Sequence, residues 1–410
     1  MTQWKTLRAD AQTIWEAAIA AVQPDAAVKS ALAQAEFPGK IVLIAVGKAA
    51  WQMSNAAWET LGSRITRGML ITKYGHSKGP IGNLVCYEAG HPVPDENGVH
   101  ATAAALNMVQ GLTEQDTVLF LLSGGGSALL EKPLIPLEEL QDINTQLLAC
   151  GAGITQINAI RKRLSGVKGG RFAQACAPAR VFGIVLSDIL GDPLDMIASG
   201  PVSPDSSTCA DARAVAEGYH LKLSPLAWSL LDRETPKALE NVDCRITGSV
   251  RHLCAAAAER CRTLGYRPVL LTDQLSCQAR EAGSFLGSIA RTHVGQGKTA
   301  YLAGGETVVK LLGSGKGGRN QELALAAAPQ LAGLRAALFS IGSDGTDGPT
   351  DAAGGFVDGR TAEALAEKGY AVEAVLNRND AYTALKAVDG LIFTGPTGTN
   401  VNDVTVLLLP

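Results

Sequence analysis

Three kinds of residue recur where the apolar runs of this chain stop: clustered glycines, single cations and small groups of carboxylates. In LFLLSGGGSALL (119–130) an apolar run ends in Ser123-Gly124-Gly125-Gly126-Ser127, and apolar character then resumes. A buried strand entering three glycines and then a helix start leaves unpaired backbone N–H groups, a ready cradle for an anion. Lys48 follows the run IVLIAV (41–46) and Gly47, at an expected helix start. A lysine there opposes the helix dipole unless it shares an anionic ligand with the amides. Asp188 and Asp192 follow ARVFGIVL (179–186), where α/β folds place metal ligands and catalytic bases. Glu306, Lys316 with Arg319, the alternating Asp344, Asp347 and Asp351, and Asn400 with Asp403 fall at later run ends. Arg161, Lys162 and Arg163 lead into a glycine turn carrying Lys168 and Arg171, which suggests a basic wall over an anionic site.

Anion cradles, cations and carboxylates together are what phosphoryl transfer requires: groups to hold phosphates, ligands for Mg²⁺ and one base for an acceptor hydroxyl. Each feature also has a plain structural reading: a solvated lysine, aspartates capping helices, an acidic turn, cations satisfying a helix end. His91, in the rigid loop 90–97, reads as a general base or, more commonly for a lone histidine, as a loop histidine bonded to backbone. Acyl chemistry fits worse, because Leu129 stands where a nucleophile elbow after Ser127 needs its second glycine. The stretch 313–319 is no Walker loop, since Lys316 precedes a glycine. Gly313, Gly315 and Gly318 do match GxGxxG between an expected strand (308–312) and a helix, which admits a nicotinamide-dependent reading with Asp344 on the ribose.

The elements that position these residues follow from the pattern of the chain. Its 410 residues, 46% hydrophobic and 18% charged with 45 glycines, suit an α/β protein of two domains. Strands are expected at 41–46, 68–73, 84–89, 118–122, 179–186, 245–248, 268–272, 300–303, 308–312, 338–341, 391–394 and 404–409. Residues 3–35 read as two helices broken at Pro24. The domain boundary is expected at 238/239, giving domains 1–238 and 239–410, with strand ends of both facing one cleft. A net charge of −3 with scattered basic residues argues against nucleic acid. Eight cysteines without a CxxC pair read as buried thiols in a reducing compartment. No apolar run is long enough for a membrane span, and the charged first segment does not read as a signal peptide. A cytoplasmic protein, monomer or homodimer, is expected.

Nine blocks in order give the pattern a family likeness: AVGKAA (45–50), GHPVPDENG (90–98), LSGGGSALL (122–130), SDILGDP (187–193), ASGPVSPD (198–205), GGETVV (304–309), GGRNQELALA (317–326), GSDGTDGPTDAAG (342–354) and TGTNVNDV (397–404). The chain resembles the two-domain glycerate 2-kinases, whose members are also labelled hydroxypyruvate reductases and linked to tartrate and glycerate use. The resemblance implies a Rossmann-like three-layer N-terminal domain and a smaller α/β C-terminal domain of the MOFRL type. It implies ATP and Mg²⁺ as cosubstrates, D-glycerate as acceptor and 2-phosphoglycerate as product. On this expectation Lys48, Asp188, Asp192 and Arg319 are catalytic, with Arg319 on the glycerate carboxylate. Ser123 to Ser127, Lys168, Glu306, Asn320 and Asn400 hold the nucleotide, and Asp192, Asp344 and Asp347 the metal. The rival readings are an NAD(P)H-dependent hydroxypyruvate reductase and a sugar-acid-binding protein without catalysis.

Overall fold

The computed structural model describes residues 3–410. It divides into two compact units, one formed by residues 24–247 and the other by the N-terminal helix with residues 248–410.

The first unit carries β1 (Ile41–Val46), β2 (Ile65–Lys73), β3 (Val85–Ala89), β4 (Thr117–Leu122), β5 (Arg180–Leu186) and β6 (Val242–Gly248) in the order β3-β2-β1-β4-β5-β6. Strands β1 to β5 are parallel. Every residue of β1 and of β4 is buried, as expected for central strands covered on both faces. The order reverses between β1 and β4, which lie side by side with Val46 opposite Leu122. The crevice beyond the ends of two such strands is where doubly wound sheets bind ligands. Gly47 and Ser123, the next residues of each strand, stand at that point.

In chain order after the N-terminal helix α1 (Gln3–Ala21), the first unit contributes α2 (Pro24–Leu32), α3 (Ala50–Leu61), α4 (Glu96–Met108), α5 (Gly126–Leu129), α6 (Leu137–Ala149), α7 (Ile154–Arg163), α8 (Arg171–Cys176), α9 (Cys209–Gly218) and α10 (Pro225–Leu230). One apolar cluster joins α2 and α3 to one face of the sheet, and another joins α4 and α8 to the opposite face. A separate cluster knits α6, α7, α9 and α10 together.

The second unit holds β7 (Arg267–Leu275), β8 (Thr299–Gly305), β9 (Ala337–Gly342), β10 (Gly354–Asp358), β11 (Leu391–Ile392) and β12 (Asp403–Leu409) in the order β11-β10-β9-β12-β8-β7. Only β7 and β8 pair in parallel; the other ladders are antiparallel. The rule that strand ends share one edge therefore holds here in altered form. The start of β12, Asp403, lies opposite Gly305 at the end of β8 and Gly342 at the end of β9. Its helices are α11 (Val250–Thr263), α12 (Ala279–His293), α13 (Arg319–Leu331), α14 (Thr361–Glu367), α15 (Val372–Asn377) and α16 (Ala381–Ala387).

The structure corrects several expectations. The boundary falls at 247/248 and not 238/239, because β6 completes the first sheet. Helix α1 belongs with the second unit. Its buried stripe of Leu7, Ala11, Ile14, Trp15 and Ala18 meets that sheet, with the Trp15 ring edge-on to Phe339 of β9 at 5.3 Å. Tyr266 Oη donates to Asp10 Oδ2 at 2.8 Å and helps fix it there. The expected strand 308–312 does not form: Val308 makes one isolated bridge, and Leu311 and Leu312 are exposed. Strand β10, rich in glycine, had no apolar run to announce it. Cys86, Cys150 and Cys277 are exposed, contrary to the buried role expected of them. Among the described residues no helix is long and apolar enough to cross a membrane.

Candidate active site

The two glycine turns at the β1/β4 switch point are bonded to each other. Lys48 N donates to Gly124 O at 2.9 Å, and Ala49 N donates to Ser123 Oγ at 3.0 Å. Gly47 sits at φ +125°, and a Cβ there would meet Ser123 Oγ at 2.2 Å, so only glycine lets the turns close. No side chain caps α3, whose first amide, Ala50 N, donates to Gly47 O at 3.1 Å. The helix start expected after the glycine loop is α5, a single turn of four residues. Bare amides, and not a long helix dipole, are what 124–127 offers.

Around this loop the structure gathers basic side chains and carboxylates. A methyl group on Gly125, itself at φ +90°, would lie 3.0 Å from His91 Cδ2 and 3.4 Å from Lys48 Cγ. One on Gly124 would lie 2.4 Å from Asp188 Oδ2. His91 is partly buried; burial first, then the charges of Lys48, Lys73 and His76, push its pKa below the usual imidazole value. A cavity of about 370 Å³ opens here. Its polar lining comprises His91, Ser123 to Ser127, Glu131, Asn144, Arg161 and Asp188. Asp192 does not line it, but its Oδ1 is buried without a hydrogen-bond partner.

The loop after Asp188 is held under strain. Asp192, Ala198 and Ser199 have φ of +56°, +50° and +61°, and Gly200 follows at +65°. Non-glycine residues in that region persist only where their surroundings over-determine them, and they cluster at functional sites. Here Ser199 Oγ donates to Asn158 Oδ1 at 2.7 Å and lies 3.3 Å from Ser127 Oγ, tying the strained turn to the glycine loop.

Ser123 to Ser127 and Asp188 thus meet at the cavity; Lys48 does not line it but borders the loop at Gly124 and Gly125, and Asp192 stands in the adjoining loop. Lys168 does not face the cavity. It is buried, its Nζ donating to Leu130 O at 2.7 Å and paired with Glu131 Oε2 at 3.0 Å. The expected basic wall is corrected likewise: Lys162 and Arg163 turn inward to Asp205, and only Arg161 reaches the cavity. Charge in a last helical turn was visible in the sequence; its direction depended on packing.

The remaining candidates lie in the second unit. Arg319 is gripped by Asp403, with Nε to Oδ2 at 2.5 Å and Nη2 to Oδ1 at 2.9 Å, and by Glu306 at 3.0 Å. Its fork is filled by carboxylates of this chain, against the expectation that it receives a substrate carboxylate. Asp347 is corrected from metal ligand to helix cap: it is buried and accepts from Asn320 N at 3.1 Å and Gln321 N at 2.9 Å at the start of α13. Asn320 is buried beneath it, accepting from Ser340 Oγ at 2.6 Å, which removes it from nucleotide binding. Asp344 Oδ1 accepts from Thr346 N at 3.0 Å within its own turn. Asn400 is half-buried. Glu306 also accepts from Asn402 Nδ2 at 3.1 Å. The GxGxxG reading fails for want of its strand, since 306–318 is irregular and Gly315 packs against the backbone of Arg378.

A doubly wound domain with an anion cradle at its switch point, flanked by lysine and aspartate, defines a class of phosphate-handling enzymes. Residues 10–232 match the family described as a domain of unknown function, DUF4147, and residues 299–403 match the MOFRL family. The chain is 49% identical to a D-glycerate 2-kinase of Thermotoga maritima, covering 99% of each chain. It is 41% identical to a glycerate 2-kinase of Pyrococcus horikoshii over 91% of this chain and 88% of that one. The crystal structure of a glycerate kinase from Thermotoga maritima superposes with a TM-score of 0.95, covering 99% of this chain and 100% of that one at 49% identity. The chain belongs to the glycerate kinase family that joins a DUF4147 region to a MOFRL domain.

The closeness of Gly124 to Asp188 gives a test within this site. Gly124→Ala places a methyl group against the carboxylate and not against backbone, so the fold survives while Asp188 is displaced. Turnover is expected to fall by about tenfold or more with the melting temperature nearly unchanged. Unaltered turnover would remove Asp188 from the chemistry.

Proposed function

We propose that this chain is an ATP-dependent D-glycerate 2-kinase, transferring the γ-phosphoryl group to the 2-hydroxyl of D-glycerate. The observation that carries the reading is the meeting of Lys48, the bare amides of 124–127 and Asp188 at the switch point of the first sheet. The amides hold the phosphate chain, and Lys48 neutralises charge on the transferring group. Asp188 accepts the hydroxyl proton as the new O–P bond forms and the bond to the β,γ-bridging oxygen breaks, leaving ADP. His91 supports the phosphates by a hydrogen bond. For Arg319 the proposal is narrower: pinned by Asp403 and Glu306, it is a fixed cation, and Arg319→Gln tests whether turnover needs it.

One observation in the loop beside the cavity favours Mg²⁺. The orphaned, buried Oδ1 of Asp192 is a carboxylate oxygen awaiting a partner. Among the described residues no three acidic, histidine or cysteine side chains gather as a metal cluster. Mg²⁺ commonly takes one or two carboxylates together with substrate phosphates. Asp192 would hold it, and when bound it supplies charge neutralisation on the phosphates.

The test is product analysis. Purified protein with MgATP and D-glycerate is expected to yield ADP and 2-phosphoglycerate in equal amounts, resolved from 3-phosphoglycerate by ³¹P NMR. Hydroxypyruvate with NADH is expected to show no loss of NADH absorbance. Absence of ADP, or formation of 3-phosphoglycerate, would overturn the assignment.

A further inference from the structure

Two polar side chains in the cavity are left incomplete by the protein itself. Arg161, in the last turn of α7, donates from Nε to Asn144 Oδ1 at 2.6 Å, which fixes the plane of its guanidinium. Its two Nη groups have no partner among the described residues, and the side chain lines the cavity. Glu131 is 2% exposed, and its Oε2 is held by Lys168. Its Oε1 is buried with no hydrogen-bond partner, and the residue lines the same cavity. A buried acceptor left unmatched is costly, and such groups are rare in folded proteins without a ligand or water to satisfy them. Burial also pulls the Arg161 pKa down while the nearby Glu131 charge opposes that pull. The guanidinium is therefore poorly hydrated and primed for an anion.

We propose that Arg161 and Glu131 form the acceptor subsite, Arg161 gripping the substrate carboxylate through its two Nη groups and Glu131 Oε1 accepting the terminal hydroxyl. This rests on the kinase reading above and deepens it, by naming what selects a 2,3-dihydroxy acid. A planar fork matches a carboxylate bidentately, as no lysine can. With both ends of a three-carbon acid held, the middle hydroxyl is the one left for Asp188 and the glycine loop. Lys168 acts behind the subsite, as a positioning residue that fixes one oxygen of Glu131 and leaves the other for the ligand. The cavity's apolar lining, including Leu148, Ile154 and Ile189, suits a short carbon chain.

The experiment compares wild type, Arg161→Gln and Arg161→Lys. The KM for D-glycerate is expected to rise about 30-fold or more in Arg161→Gln, with the KM for ATP within about threefold. Arg161→Lys, which keeps the charge and loses the fork, is expected to rise about five- to tenfold and serves if the glutamine variant is unstable. Glycerol, which lacks the carboxylate, is expected to be used equally poorly by wild type and variants. D-lactate, which lacks the terminal hydroxyl, is expected to fall at least about 100-fold below D-glycerate in kcat/KM with the wild type, because Glu131 is left unmatched. An unchanged KM for D-glycerate in Arg161→Lys and Arg161→Gln, or a rise in the KM for ATP instead, overturns the role of Arg161. Parity of D-lactate with D-glycerate overturns that of Glu131. Calorimetric titration of D-glycerate into wild type and Arg161→Gln reads the subsite without turnover. If wild type binds D-glycerate and Arg161→Gln does not, yet no phosphate is transferred, the kinase reading fails and the subsite stands.

Discussion

Lys48→Ala is expected to lower kcat by about 10²- to 10³-fold, the usual loss when one preorganised stabiliser of developing charge is removed. The melting temperature should move by no more than about 2 °C. The argument is positional. The backbone of Lys48 is bonded into the double turn, through its N–H to Gly124 and its carbonyl to His76 Nδ1 at 3.2 Å, and alanine keeps both bonds. The side chain is half-buried and carries no carboxylate partner among the described residues, so no ion pair is lost with it. What disappears is the positive charge beside Gly125 and His91. The KM for ATP should rise less than kcat falls, because charge on the transferring group grows toward the transition state. Steady-state kinetics with a thermal melt decide this. Turnover within threefold of wild type would remove Lys48 from the mechanism.

The parts of this site legible in the sequence are those written into local chemistry. A buried strand announces itself by composition and a glycine turn by its glycines, so Lys48, Ser123 to Ser127 and Asp188 could be placed at strand ends before any coordinates. A parallel sheet then brings neighbouring strand ends together, and β1 and β4 are neighbours. The direction a side chain takes from a helix was not legible. Arg161, Lys162 and Arg163 are consecutive and chemically alike, yet each points about 100° from the last. One lines the cavity, and two are buried against Asp205. Asp347 and Asp188 illustrate the same limit: both stand in the loop after a buried strand, and only the fold shows that the first is consumed by the amides of α13. The partner of α1 was hidden for a different reason. A stripe of Leu7, Ile14 and Trp15 shows that a face is buried, but not which sheet, and here that sheet begins well over two hundred residues later. Glu131 carried no signal beyond its place after Leu130; its unmatched oxygen is a property of packing.

The inward pair gives the largest expected effect on stability, with Asp205→Asn losing about 3–5 kcal/mol. Lys162 and Arg163 are fully buried, and Asp205 is the carboxylate both share. Lys162 Nζ lies 2.8 Å from its Oδ1, Thr235 Oγ1 donates to Oδ2 at 2.6 Å, and Ser207 N donates to Oδ1 at 2.9 Å. Asparagine keeps the shape but leaves the two buried cations with only the partly exposed carboxylates of Asp195 and Glu234. The melting temperature should drop on the order of 10 °C. Burial alone would raise the Asp205 pKa, but the bonds from Lys162, Thr235 and Ser207 outweigh it and hold the carboxyl at about 2. A folded pKa below the unfolded one means that this stability is present above about pH 4 and is lost as the pH falls toward 2. Denaturant melts across that window should therefore show an acid-side slope in wild type that is shallower in Asp205→Asn. Lys162 also reaches Asp195 Oδ2 at 3.1 Å, inside the loop that carries the left-handed Asp192, Ala198 and Ser199. Through Asp195 this ion network is joined to that loop, so the variant is expected to lose turnover even at temperatures where it remains folded. A variant that melts within about 2 °C of wild type, with the acid slope intact, would show that Lys162 and Arg163 are satisfied without Asp205.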